Sequence, residues 1–157
     1  MTTVHPRDDS RIRFKQVASL VQSTDEDVRL YVQDGLGDEI DPKLGYHIVD
    51  TGPRKRRLAR MFGGAWQMIS AVRRARPSMV FFHDPELLPW AMLLRLSGVK
   101  VIYDAHEDVP RQILRNPSLP TSVKPILPPI VSAVEWTAAR VLSAMVGATT
   151  EITNRFP

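Results

Sequence analysis

Residues 79–108 read MVFFHDPELLPWAMLLRLSGVKVIYDAHED, and the order of residue types along this stretch decides the fold class. Met79 to Phe82 and Val99 to Tyr103 are near-continuous apolar runs, the pattern of strands covered on both faces. Between them, Glu86 to Ser97 reads as a helix that Pro85 can start and Gly98 ends. Strand, helix and strand in that order make a βαβ unit, which implies a parallel sheet and a right-handed crossover. Ligands of such sheets collect at the carboxyl ends of the strands, and here those ends carry His83-Asp84-Pro85-Glu86 and Asp104-Ala105-His106-Glu107-Asp108.

The alternation extends outward in both directions. Val28 to Val32 is a third apolar run, and Met1 to Val4, His47 to Val49 and Leu142 to Ala148 are weaker strand candidates. Helical stretches are expected at Ser10 to Gln22, Leu58 to Ala75 and Ser122 to Arg140, with Ser10 as an N-cap and Pro77 closing the second after Arg76. Six of the 13 prolines fall between Asp108 and Pro129, so that region reads as a loop with a short helix near Val109 to Leu114. The expected fold is therefore α/β, a Rossmann-like doubly wound parallel sheet, in a single domain over residues 1–157. Only MTTV precedes the His5-Pro6 break, short for a first strand. Thr149 to Pro157 begins another strand-to-helix turn and stops, so the chain is expected to be half of a larger arrangement.

Composition narrows the class. A chain of 157 residues without cysteine excludes a disulfide scaffold and a thiolate metal site. Hydrophobic residues make up 43%, yet no apolar run approaches the roughly 18 residues that a membrane span requires. With no secretory signal pattern at the start, the cytoplasm is the expected location, peripheral at the inner face of the membrane. The net charge of +4 is local: residues 51–83 hold eight basic side chains and no acidic one, leaving 13 basic against 17 acidic elsewhere. One segment thus supplies all the excess, which argues against a nucleic-acid partner.

The two polar strand ends admit more than one reading. Helix capping alone explains Asp84 and Glu86, whereas an imidazole at His83, closing a buried strand, sits where ligands bind. The DAHED segment places four ionisable groups within five residues, so it must face a cleft or water. It can build a metal site with His83 and Asp84 through Asp104 and His106, or a polar cleft for a hydroxyl-rich substrate, or a solvated acidic loop.

The combination of VHPRDDSRIRFKQVASL, FFHDPELLPWAMLLRLSGVKVIYDAHEDVPRQIL, the EWTAAR helix and ATTEITNRF resembles the amino-terminal domain of a bacterial family-four glycosyltransferase. That family has the GT-B architecture, two Rossmann-like domains facing one another across a cleft. The resemblance implies that this chain is the acceptor-side half of an enzyme moving a sugar from a nucleotide-sugar to a lipid-linked or polysaccharide acceptor. The donor-binding carboxy-terminal domain, with its Glu-x7-Glu signature, is expected to be absent, because no such pair occurs. The chain alone is then expected to be inactive, a glycosyltransferase of hexosyl-transferring type only when complete. It also implies His106 as the catalytic residue, holding a sugar hydroxyl and stabilising transition-state charge, with no metal and no cofactor. His83, Asp84, Glu86, Glu107 and Asp108 are the accompanying substrate-binding candidates. Asp9, Arg11 and Lys15 match the loop and helix start after the first strand, although the usual glycine-rich loop is missing there. The alternative is a stand-alone module that recruits a separate donor-binding chain to the membrane.

Arg54, Lys55, Arg56, Arg57 and Arg60 form the membrane- or anion-binding candidate. Leu58, Met61, Phe62, Ala65, Trp66, Ile69 and Val72 recur with helical period and are expected to form one core stripe. Basic residues crowded at the positive end of that helix call for an anion, such as lipid head groups or a lipid pyrophosphate. Gly63-Gly64 weakens its first turns. Arg73, Arg74 and Arg76 at its far end are expected to be solvated. Met92, Leu93, Leu94 and Leu96, with Trp90 and Trp136, are expected in the core. His5 and His47 have no partner visible in the sequence.

Overall fold

A computed structural model describes residues 1–156. The chain is α/β and divides into two compact units, Met1–Arg76 and a second beginning at Pro77. Each holds a three-stranded sheet, where the sequence suggests a single wound sheet.

In the first unit, β1 (Arg29–Val32) pairs in parallel with β3 (His47–Asp50), and the two-residue β2 (Glu39–Ile40) adds to β3 antiparallel. Met1 to Val4 forms no ladder. It contributes a Thr2 N–H bond to the Tyr31 carbonyl, 3.0 Å, and is then bent by the Thr2 hydroxyl, which accepts from Val4 and His5 N–H. The first helix begins as a π segment, Ile12–Val17, and continues as α1 (Ala18–Ser23). Its start is held by Asp9, not Ser10: Asp9 Oδ1 accepts the N–H groups of Arg11 and Ile12 at 3.0 and 2.9 Å. Ile12, Val17, Leu30, Val32, Tyr46 and Ile48 make the core of this layer.

A continuous helical run follows from Arg57: α2 (Arg57–Ala59), a π segment (Arg60–Gly64) and α3 (Ala65–Arg74). Ala65, Met68, Ile69 and Val72 are buried, and α3 packs on β1, but Leu58, Phe62 and Trp66 are exposed. The expected single stripe is split in two. The cause is the π turn: the Ala65 N–H reaches back five residues to the Arg60 carbonyl, which inserts one residue and shifts the helical phase ahead of it. Gly64 permits the close fit, because a Cβ there would lie 2.4 Å from Oε1 of the buried Gln33.

The second unit is a parallel sheet in the order β4-β5-β6, with β4 (Met79–Phe82), β5 (Lys100–Ala105) and β6 (Ala144–Gly147). The turn Pro85–Leu87 leads into α4 (Leu88–Leu96), which Gly98 ends with a φ of 96°. Then come α5 (Val109–Arg115), α6 (Leu127–Val141) and α7 (Thr150–Thr153). Alternate residues of β4 and β5 bury Val80, Phe82, Val101 and Tyr103, and the Phe82 and Tyr103 rings stack 4.8 Å apart. Of the expected α4 core, only Leu94 is fully buried. Leu93 and Leu96 are exposed, because an amphipathic helix lays only one stripe on its sheet. Trp136 is likewise exposed and lies beneath the guanidinium of Arg140. Among the described residues no helix is long and apolar enough to cross a membrane.

Candidate functional site at the carboxyl edge of the second sheet

The register of β4 against β5 pairs Phe82 with Tyr103, so the next residues, His83 and Asp104, emerge side by side at the carboxyl edge. Both are buried, as is Asp84. His83 Nδ1 lies 3.3 Å from Asp104 Oδ2 but is not aligned for a hydrogen bond, and it finds no other partner among the described residues. His106, half-buried just past β5, turns back so that Nδ1 sits 3.2 Å from the Asp104 main-chain oxygen. A contact with a carbonyl oxygen is made by an N–H, so this geometry places a proton on Nδ1. The two imidazoles are 6.2 Å apart between ring centroids and tilted by 58°.

Burial pushes the His83 imidazole below its ordinary pKa, and the Asp104 and Asp84 carboxylates only partly offset it. His83 is therefore a neutral imidazole at neutral pH. A carboxylate with two imidazoles close by can order a hydroxyl-rich ligand by accepting and donating hydrogen bonds. It can also ligate a divalent cation: single donor atoms of His83, Asp104 and His106 lie within 4.8 Å of one another. For the second use, the His106 Nδ1 contact to a carbonyl would orient Nε2 as the ligating atom.

The other candidates from the sequence are dispersed. Asp84 accepts no side-chain cap bond, so capping does not account for it, whereas Glu86 sits half-buried in the first turn after β4. Glu107 is exposed. Asp108 has a structural post: Oδ1 accepts the Arg111 N–H at 3.1 Å, opening α5, and Arg155 Nη1 at 3.0 Å. In the first unit Asp9 caps the π segment and accepts His5 Nδ1 at 3.2 Å, which supplies the partner that the sequence did not reveal for His5. Burial pushes the Asp9 carboxyl up, but the Ile12 N–H, the charge of His5 and the Arg11 N–H together hold it below the usual range. Arg11 is half-buried and Lys15 exposed. Within the basic group, Arg54 donates to the Val4 carbonyl and Lys55 to Gln67 Oε1, while Arg56 and Arg57 are exposed and Arg60 is half-buried.

Two buried polar residues, Glu135 and Gln33, escape a sequence reading centred on strand ends. Asp104, named there within the DAHED segment, touches both histidines, through Oδ2 toward His83 and through its main-chain oxygen toward His106. Glu135 in α6 is buried and receives Arg155 Nη2 at 2.7 Å. Its signal is an acid on the buried stripe of an apolar helix, beside Ala138. Gln33 follows β1 with both amide atoms buried and without a partner among the described residues. No family profile, curated protein or solved structure matches the chain.

Proposed function

We propose that this chain forms the acceptor side of a glycosyltransferase, which moves a sugar from a nucleotide-sugar to a lipid-linked or polysaccharide acceptor. The observation that carries the reading is the convergence of His83, beside the Asp104 carboxylate, and His106, on the Asp104 main-chain oxygen, at the carboxyl edge of a parallel sheet. The sequence resemblance supports it independently. In this reading His106 Nε2 accepts the proton side of a sugar hydroxyl and fixes its orientation. Asp104 offsets positive charge that develops on the sugar ring as its bond to the nucleotide breaks. The buried His83 lies beside Asp104 with Nδ1 3.3 Å from Oδ2, and a ligand group would complete its hydrogen bonding. Transfer also requires a donor-binding lobe, because positioning both substrates together supplies much of the rate. That lobe is supplied by further residues of the same polypeptide or, in the stand-alone variant of this reading, by a separate chain.

The test is transfer by the complete assembly. His106→Ala should lower kcat by about 10² to 10³, the usual loss for one preorganised stabilising group, while nucleotide-sugar affinity stays unchanged. An unchanged kcat overturns the assignment. The convergence of His83, Asp104 and His106 donor atoms favours one second reading, a divalent-cation site serving hydrolysis. Stoichiometric zinc or manganese retained by the purified chain, and lost in His106→Ala, would select it over sugar transfer.

A further inference from the structure

We propose that the face carrying Leu58, Phe62 and Trp66, flanked by Arg56 and Arg57, docks on an anionic bilayer surface with its apolar side chains inserted at the head-group level. The three side chains are 71%, 65% and 57% exposed, although each is large and apolar. An uninterrupted α-helix would have directed Leu58 and Phe62 toward the side that buries Ile69 and Val72. The π turn over Arg60–Gly64 instead brings them into line with Trp66 and away from the core stripe.

Charge identifies the occupant. No acidic side chain occurs anywhere in residues 51–83, so nothing in this segment competes for its arginines. Arg56 and Arg57 are exposed beside Leu58. An apolar ridge bordered by arginines, with a tryptophan at one end, is the composition of a segment lying in a membrane interface. A protein partner would have to present an acidic rim around an apolar groove, whereas a lipid leaflet with anionic head groups offers both at once. The proposal goes beyond the sugar-transfer reading and is independent of it.

The experiment is co-sedimentation of the intact chain with vesicles of phosphatidylcholine containing phosphatidylglycerol, and with phosphatidylcholine alone. Binding to the anionic vesicles is expected, at least tenfold stronger than to neutral ones and weakened by added salt. Trp66 emission, isolated by difference against Trp66→Phe, should shift to the blue on binding. The triple variant Leu58→Ser, Phe62→Ser, Trp66→Ser should lose at least tenfold in affinity, as should Arg56→Ser with Arg57→Ser, and both should melt as the parent does. Equal binding to neutral vesicles, no blue shift, or full binding by the serine-ridge variant overturns the proposal. So does concentration-dependent self-association that the ridge variant abolishes, since the occupant would then be a second copy. None of these outcomes bears on His83 and His106, so failure here leaves the transfer reading standing.

Discussion

Arg7 and Arg13 in the first unit, and His83 and Asp104 in the second, are all buried ionisable side chains, but their surroundings treat them differently. Arg7 spends Nε and Nη2 on Asp34, Nη1 on Glu39 and Nη2 again on the Gly37 carbonyl, each at 2.8 Å. Arg13 holds Asp41 at 2.9 Å through Nη2 and also pairs with Asp8, and the other oxygen of Asp41 accepts the Lys43 and Leu44 N–H groups. Hydrogen bonding to Asp34 is the main reason that the Arg7 guanidinium is held in its charged form more firmly than usual. His83, by contrast, is enclosed yet its Nδ1 meets Asp104 out of line. A buried ionic cluster whose donors and acceptors are matched is explained by folding alone. A buried cluster that leaves a ring nitrogen poorly matched has stability to gain from a ligand, and that difference separates scaffold from site.

The contrast breaks most sharply on stability. Arg7→Ala strands Asp34, and with it Glu39, so unfolding free energy should fall by about 3 to 5 kcal/mol in urea denaturation. A loss below about 1 kcal/mol would mean that the cluster is not structural. Arg155→Ala carries the same test into the second unit. There Glu135 would keep its buried carboxylate without the guanidinium at 2.7 Å, and a loss of about 2 to 3 kcal/mol is expected. His83→Gln removes no aligned hydrogen bond, so its stability should stay within about 1 kcal/mol of the parent while transfer activity drops. A His83 variant as destabilised as Arg155→Ala would erase the distinction between site and scaffold.

What the sequence disclosed follows the same division. β4 runs over Met79–Phe82 as the apolar pattern indicates, and β1, β3, β5 and β6 agree to within two residues at each end or lie inside the expected spans, because strands advertise themselves in local apolar composition. The polar strand ends HDPE and DAHED were legible for the same reason. The long-range ion pairs were not: Arg7 meets Asp34 27 positions away and Arg155 meets Glu135 20 away, and no local pattern encodes such pairings. The split of the Leu58–Val72 stripe was hidden too, since a periodicity count assumes a uniform turn and the π segment adds a residue. Gly63-Gly64 reads as a weak point, although Gly64 is needed to accommodate Gln33.

The smallest expected effect, and the one that isolates the poorly matched histidine, is the response to pH. His83 has a native pKa below its ordinary 6.5, so the unfolded chain binds its proton more readily than the folded one. Its neutral form is fully accommodated above that value, and stability should decline as pH falls through 6.5 toward the native pKa. The Asp34 and Asp41 carboxylates are held below their ordinary 3.8: hydrogen bonding from Arg7 lowers Asp34 against its burial, and backbone N–H groups with Arg13 overcome the burial of Asp41. Their contribution is complete above 3.8 and vanishes only as pH drops below it. Glu135 acts with the opposite sign, since burial raises it above 4.5 despite Arg155, so its charged form weighs against the fold as pH rises through that range. Comparing wild type with His83→Gln cancels the terms the two share. Between pH 7.5 and 5.5, in chelator-treated buffer, the wild-type denaturation midpoint should fall more than that of the variant, and below pH 4 the two should fall together. Parallel curves throughout would show that His83 is as well accommodated when charged as Arg7 is, and the reading of its corner as an unfinished site would go with it.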